Sequence, residues 1–219
     1  MAYICAIVPA YNEEKTIKTT LQAIKNIDLI NHVILVNDGS QDRTAEIARQ
    51  EGVEVIDLPS NHGKGEAVNI GLRHINADIA VLLDADLGAS AIEAGKIISP
   101  VLAGQADLCV AAFPPPTRKG GFGLVKKTAA WVIKHYGGFD SAAPLSGQRA
   151  LNRKALEAVT PLAGAYGMEL AMTLKALRCS CKVIEVPTEM KHNETGRDWA
   201  GFKHRGQQFI DILKVIIHY

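Results

Sequence analysis

The sequence is short of the features that mark most special-purpose chains. No apolar run approaches the ~20 residues that a membrane-spanning helix needs. Its 219 residues carry 24 basic and 23 acidic side chains, a net charge of +1, so no global charge excess points to nucleic acid. The four cysteines form no framework. Cys5 and Cys109 lie in apolar, strand-like runs and are read as buried small hydrophobes. Cys179 and Cys181 are separated by one residue, the wrong spacing for a zinc knuckle or a redox Cys-x-x-Cys. A reducing, cytoplasmic setting is the expectation. No charged leader precedes the first strand-like residues, so no signal peptide is expected. Internal repeats and linkers are missing as well. The length suits one domain, at about 100–200 residues per domain, with a core that needs no disulfide or structural metal.

What is present alternates. Tyr3 to Val8 is a continuous apolar run, as in a strand buried on both faces of a parallel sheet, and Pro9 is expected to end it. A helix pattern with Ile17, Leu21 and Ile24 on one side follows. Further strands are predicted over 33–36, 53–58, 79–83, 107–112 and 182–186, with helices between them, including 43–50 and 91–103. Ser90 and Glu93 have capping-box spacing for the latter. Strands alternating with helices of this length predict βαβ units, an α/β class and a mainly parallel sheet.

The chain is organised around Leu82-Leu83-Asp84-Ala85-Asp86-Leu87, where an apolar strand ends in two acids one position apart. Asp84 and Asp86 fall at the carboxyl end of that strand, where open α/β sheets bind ligands. Two carboxylates there can hold a divalent cation, which in turn would neutralise a diphosphate. An acidic strand-to-helix turn is the blander meaning of the same pattern. Gly63-Lys64-Gly65 at a helix start can act as a phosphate cradle, although it is not a Walker A motif; a plain turn with a solvated lysine has equal standing.

In the second half, 113–121 mixes prolines, glycines, Arg118 and Lys119, and is expected to be a mobile loop over a site, with Lys126 and Lys127 nearby. Arg149 and Arg153 are candidates for a phosphate or carboxylate through the guanidinium fork. Glu169 opens a helix whose dipole it could simply complement. From Trp199 the chain reads as a terminal helix with an apolar end over 209–217. Such stripes are mostly core or partner surfaces; a membrane-lying face is the minority reading.

Several of these segments agree on one family. Val8-Pro9-Ala10-Tyr11-Asn12-Glu13-Glu14, Val36-Asn37-Asp38-Gly39-Ser40-Gln41-Asp42 and Asp84-Ala85-Asp86, in that order, resemble the opening of family 2 glycosyltransferases. Ser146-Gly147-Gln148-Arg149 with Val183 to Pro187 is similar to polyprenyl-phosphate synthases of the dolichol-phosphate mannose type. Tyr166-Gly167-Met168-Glu169 and the segment around His192 resemble glucosyl-3-phosphoglycerate synthases. The resemblance implies a GT-A fold: a Rossmann-like nucleotide-binding sheet, mainly parallel, with helices on both faces. Residues 1–104 would form the nucleotide-sugar half of the single domain and 105–219 the acceptor half.

It also implies roles. Pro9, Ala10, Tyr11 and Glu13 would frame the nucleotide pocket, with Ser40 and Ala85 in the same donor-facing segments. Asp38 would contact the base, typically uracil, Lys64 would approach the donor and Asp84 its ribose. Asp86 and His192 would ligate Mn²⁺ or Mg²⁺. Ser146, Gly147, Arg149, Arg153, Tyr166 and Arg197 would serve a phosphate-bearing acceptor. Glu169 would be the base for a hydroxyl acceptor, or would orient the sugar if a phosphate attacks. The expected activity is a metal-dependent transfer from a UDP-sugar, glucose or similar, to a polyprenyl phosphate or a small phosphorylated acid. The expected location is cytoplasmic, with a peripheral contact at the inner face of the membrane as the further option and a homodimer left open.

Other readings stand beside it. A sugar-nucleotide pyrophosphorylase would carry a glycine-rich, arginine-containing loop where this chain has Ala10-Tyr11-Asn12-Glu13. A non-catalytic nucleotide-sugar-binding protein would keep the fold without turnover. A Rossmann dehydrogenase needs a Gly-x-Gly-x-x-Gly after its first strand, and none is there.

Overall fold

The computed structural model describes residues 1–114, 123–162 and 167–191. Residues 115–121 of the loop expected over 113–121, together with Tyr166, His192, Arg197 and the expected terminal helix, lie outside the described residues.

Among the described residues seven strands form one sheet: β1 (Ile4–Ala10), β2 (His32–Asn37), β3 (Glu54–Asp57), β4 (Ile79–Leu82), β5 (Leu108–Ala112), β6 (Arg149–Asn152) and β7 (Val183–Pro187). Their order is β3-β2-β1-β4-β6-β5-β7. Four pairings are parallel; β6 runs antiparallel to both of its neighbours, β4 and β5. The helices are α1 (Ile17–Lys25), α2 (Thr44–Gln50), α3 (Lys64–Arg73), α4 (Gly95–Leu102), α5 (Gly123–Gly137), α6 (Arg153–Val159) and α7 (Met168–Arg178), with a 3-10 helix over Gly88–Ala94. Among the described residues no helix is long and apolar enough to cross a membrane.

The alternation of a strand sorts β1 between two cores. Ile4, Ala6 and Val8 face Ile17, Leu21 and Ile24 of α1 and Ile97, Ile98 and Val101 of α4. Cys5 and Ile7 face Ala67 and Val68 of α3 together with Met168, Met172 and Ala176 of α7. Both sides are therefore covered, which is why these strands read as unbroken apolar runs. Burial pushes the Cys5 thiol up to about 12, with the Glu54 charge adding to it, and raises Cys109 to about 12 as well. Gly71 lets α3 lie close: a Cβ there would meet Ile7 Cγ2 at 2.7 Å.

Three expectations are corrected. Pro9 sits inside β1, paired with Val36, and does not end it. Leu83 N donates to Ile7 O, so position 9 points the same way, past the end of β4, where no partner needs its missing N–H. The helix predicted over 91–103 is a 3-10 turn followed by the shorter α4. Its capping box does not form, because Ser90 Oγ donates to Leu87 O and Glu93 accepts from Glu189 N instead. Beyond these corrections, Arg149–Asn152 is a strand, for which the sequence carried no prediction.

Candidate active site at the sheet switch point

From β1 the chain winds outward through β2 and β3, then returns to place β4 on the other side of β1. The crevice at the carboxyl ends of β1 and β4 is the switch point, where open sheets take ligands. Asp84 and Asp86 follow β4 directly into it.

Two loops close one side. Asp38 N donates to Ala10 O at 2.8 Å. Asn12, at φ 55°, donates its N–H to Ser40 Oγ and accepts from Gln41 N at 2.8 Å. Glu13 N donates to Thr44 Oγ1 at 2.7 Å. Ser40 and Asn12 thus knit the segments after β1 and β2, while Tyr11 projects, 44% exposed. Asp38 is only 3% exposed and accepts from His62 N (2.7 Å) and Gly63 N (2.8 Å). Its carboxylate holds the turn into α3, so its local task is to aim the residue that follows. Gly39 makes this docking feasible: it has φ +73°, and a Cβ would lie 2.6 Å from the Ser60 carbonyl carbon.

Lys64 is the first residue of α3. Its Nζ lies 2.7 Å from Asp84 Oδ1 and 3.4 Å from Glu169 Oε1, the latter in the first turn of α7. Partial desolvation works against the ammonium charge, but the two carboxylates outweigh it and hold this lysine above its ordinary range. Asp84 is fixed from a second direction. Its N–H donates to Gln148 Oε1 at 2.9 Å and its Oδ2 accepts from Gln148 Nε2 at 2.8 Å. Gly147 lies against the pair, since a Cβ there would be 2.5 Å from Lys64 Nζ and 3.3 Å from Asp84 Oδ2.

Beneath this layer Arg149 is wholly buried. Its Nε donates to Ser146 O (2.8 Å) and its Nη1 to Thr173 Oγ1 (2.9 Å), while Thr173 Oγ1 donates to Glu169 O. Burial lowers this guanidinium to about 10, against the pull of the Glu169 and Glu185 carboxylates. Among the described residues its Nη2 and Ser146 Oγ have no hydrogen-bond partner. Glu185 accepts from Ser141 Oγ, Ala142 N and Ala143 N, fastening the segment that leads into Ser146.

The acidic density is high. Glu13 is half-buried, and burial raises its carboxyl pKa; the Thr16 hydroxyl opposes this, while Asp86, Asp42 and Asp84 push it further up. Ala85 is buried, and its carbonyl accepts from Thr20 Oγ1, which also accepts from Gly88 N; this seats the Asp86 turn on α1. No group of three or more His, Cys, Asp or Glu able to hold a metal occurs among the described residues. The oxygen donors of Asp84 and Asp86 nevertheless fit the pattern in which one or two carboxylates and substrate phosphates share a hard cation.

The structure therefore brings together Pro9 to Glu13, Asp38, Ser40, Lys64, Asp84, Asp86, Gly147 and Glu169. It does not bring Arg153 there. That residue donates to Asn76 Oδ1 and Ala77 O just before the start of β4, at the opposite end of the strands from the crevice. Arg149 sits under the site and not in the crevice. Gln148, not singled out from the sequence, is what orients Asp84; its only sequence signal was its place between Gly147 and Arg149.

Comparison with known proteins agrees with this geometry. A model of glycosyl transferase family 2 matches residues 5–157. Glycosyltransferase AglJ of Haloferax volcanii is 28% identical over 204 residues, 89% of this chain and 65% of that protein. This chain thus spans just under two thirds of that relative. A UDP-N-acetylglucosamine–dolichyl-phosphate N-acetylglucosaminyltransferase of Methanococcus voltae is 29% identical over 182 residues, 72% of each. Among solved structures, glucosyl-3-phosphoglycerate synthase from Mycobacterium tuberculosis with Mn²⁺, UDP-glucose and phosphoglyceric acid aligns at TM-score 0.80 and 25% identity. That match covers 99% of this chain and 79% of the other. The same synthase with Mg²⁺ and UDP aligns at TM-score 0.83 and 23% identity, over 99% and 79% of the two chains, a likeness of fold.

Proposed function

The chain belongs to glycosyl transferase family 2 and has the GT-A fold, and from that premise we propose that it moves a hexose from a UDP-sugar to an anionic, phosphate-bearing acceptor. The acceptor is a polyprenyl phosphate or a small phosphorylated acid. Residues 1–104 bind the donor and 105–219 the acceptor.

The observation that carries this reading is the meeting of Lys64, Asp84 and Glu169, from three separate parts of the chain, at the switch point. Lys64 donates toward the donor diphosphate from a fixed helix start. Asp84, held by Gln148, is an oriented acceptor for sugar or ribose hydroxyls. Glu169 faces the same space. With a phosphate acceptor the attacking oxygen is already anionic, so Glu169 orients the transferred sugar and no base is needed; with a hydroxyl acceptor it would take the proton. Tyr11 lines the rim of the nucleotide pocket. Asp86, with His192 as its second protein ligand, would hold Mn²⁺ or Mg²⁺, whose chemistry is to stabilise charge on the departing diphosphate. Burial is the main reason the Glu13 carboxyl is raised, and Asp86, Asp42 and Asp84 add to it; a cation bound there would relieve that added crowding. A reducing, cytoplasmic location is part of the proposal, in keeping with four free cysteines.

Calorimetric titration with UDP-, GDP- and CDP-sugars, with and without Mn²⁺, tests it. The expected result is binding of a UDP-sugar only with metal, lost in Asp86→Ala while the circular dichroism spectrum is unchanged. If no donor binds, or Asp86→Ala binds as well as the native chain, the transferase reading or its metal assignment falls respectively.

A further inference from the structure

Helix α5 buries one side and exposes the other. Ala129, Val132 and Ile133 are fully buried against Leu170, Ala171 and Leu174 of α7. Residues three and four apart share a side of a helix, so Lys127, Trp131, Lys134 and His135 lie together on the opposite one. All four are exposed, and Trp131, the most apolar of them, is 57% accessible. Its indole stacks on the His135 imidazole with centroids 5.0 Å apart, and Tyr136, 40% exposed, meets that imidazole edge-on. The helix sequence contains no acidic residue and three lysines, Lys126, Lys127 and Lys134. Among the described residues the acid paired with this face is Asp140, beyond the helix, with Lys134 at 2.8 Å.

This combination selects among partners. A folded protein surface would reward an apolar ring around the indole that excludes water, but here the indole is flanked by ammonium groups. Nucleic acid would call for a broader basic surface than a chain of net charge +1 offers. A lipid headgroup layer matches both parts at once. Tryptophan rings settle at the membrane–water interface, and lysine ammoniums reach lipid phosphates on flexible stems. We propose that the Lys127–Trp131–Lys134–His135 face of α5 docks the protein on an anionic lipid bilayer surface. Because α5 packs directly on α7, whose first turn carries Glu169, docking sets the headgroup layer beside the helix pair next to the site. Neither donor nor acceptor is needed for this contact, so vesicle binding and sugar-nucleotide binding can fail independently.

The test is sedimentation of the full chain with vesicles of phosphatidylcholine alone and of phosphatidylcholine with roughly one third phosphatidylglycerol. Binding is expected only to the mixed vesicles and weakens as salt is raised. Each of Lys127→Ala and Lys134→Ala lowers partitioning by about fivefold, as expected for one lysine at an anionic surface. The chain has two tryptophans, so Trp199→Phe makes Trp131 the sole reporter, and its emission shifts to the blue on the mixed vesicles. Trp131→Ala abolishes most binding without changing the circular dichroism spectrum. The proposal is overturned if the native chain does not bind mixed vesicles, or if Trp131→Ala binds undiminished. Loss of binding only on removal of residues 209–219 overturns it too, and assigns the contact to the terminal segment.

Discussion

Gly147 and Lys64 stand so close that a Cβ on the glycine would come within 2.5 Å of the lysine Nζ. The obstructing atom is the tip of a flexible side chain, so the lysine can swing aside, but only by leaving Asp84. Gly147→Ala is therefore expected to change stability by less than about 0.5 kcal/mol. Donor affinity should fall about tenfold, the worth of one charge-assisted hydrogen bond. Thermal melting paired with donor titration checks this; a large drop in melting temperature with intact affinity would contradict it.

Arg149 is expected to act through what it holds. Arg149→Ala removes the donors to Ser146 O and Thr173 and leaves Glu169 and Glu185 without their buried cation. A cost of about 3 kcal/mol follows in urea unfolding. Arg149→Lys keeps the charge but not the fork, so it should recover only part of the loss. Equal stability of the native and alanine proteins would refute the arrangement.

Asp38→Asn retains one acceptor where two backbone amides now converge. A loss of about 1–2 kcal/mol is expected. The sharper readout is hydrogen exchange, where the His62 and Gly63 amides should lose protection while those of β1 and β4 keep it.

Asp107 carries an acid-sensitive tie. Burial alone would raise its pKa, but Lys182 N, Lys154 Nζ and Asn152 Nδ2 all donate to it, and the net result is a pKa below the usual carboxylate range. A depressed carboxylate stabilises the fold above its unfolded pKa near 3.9 and loses that contribution as pH falls through the folded value. Asp107→Asn should cost about 1–2 kcal/mol at neutral pH. The gap to the native protein should narrow below about pH 4, seen in denaturant midpoints across that range.

Where a residue's task is local, the sequence announced it. The run Ile79 to Leu83 ending in Asp84-Ala85-Asp86 located the crevice, because a buried strand and its acidic exit are contiguous. Lys64 between two glycines and Glu169 at a helix start were found in the same way, although their convergence needed the fold. Long-range tasks were hidden. Arg149 looked like a ligand because a guanidinium is normally exposed, and only its four-residue strand between β4 and β5 explains its burial. So short a strand has no readable period. Arg153 lies elsewhere, since the four-residue strand before it runs away from the crevice to the opposite end of the sheet. Ser90 and Glu93 had cap spacing, yet Lys191 and Glu189, about a hundred residues on, claimed them.

The antiparallel strand also has a consequence in time. β4 pairs with β6, whose last residue, Asn152, lies seventy positions after Leu82. At synthesis rates of about 5–20 residues per second, roughly 4 to 14 seconds separate the two. Throughout that interval one side of β4, the apolar Ile79–Leu82, is an open edge on a growing chain, able to pair with any other strand it meets. Anything that stalls the ribosome between these positions lengthens the exposure. The yield of this protein in a cell should thus depend on codon choice across 83–152.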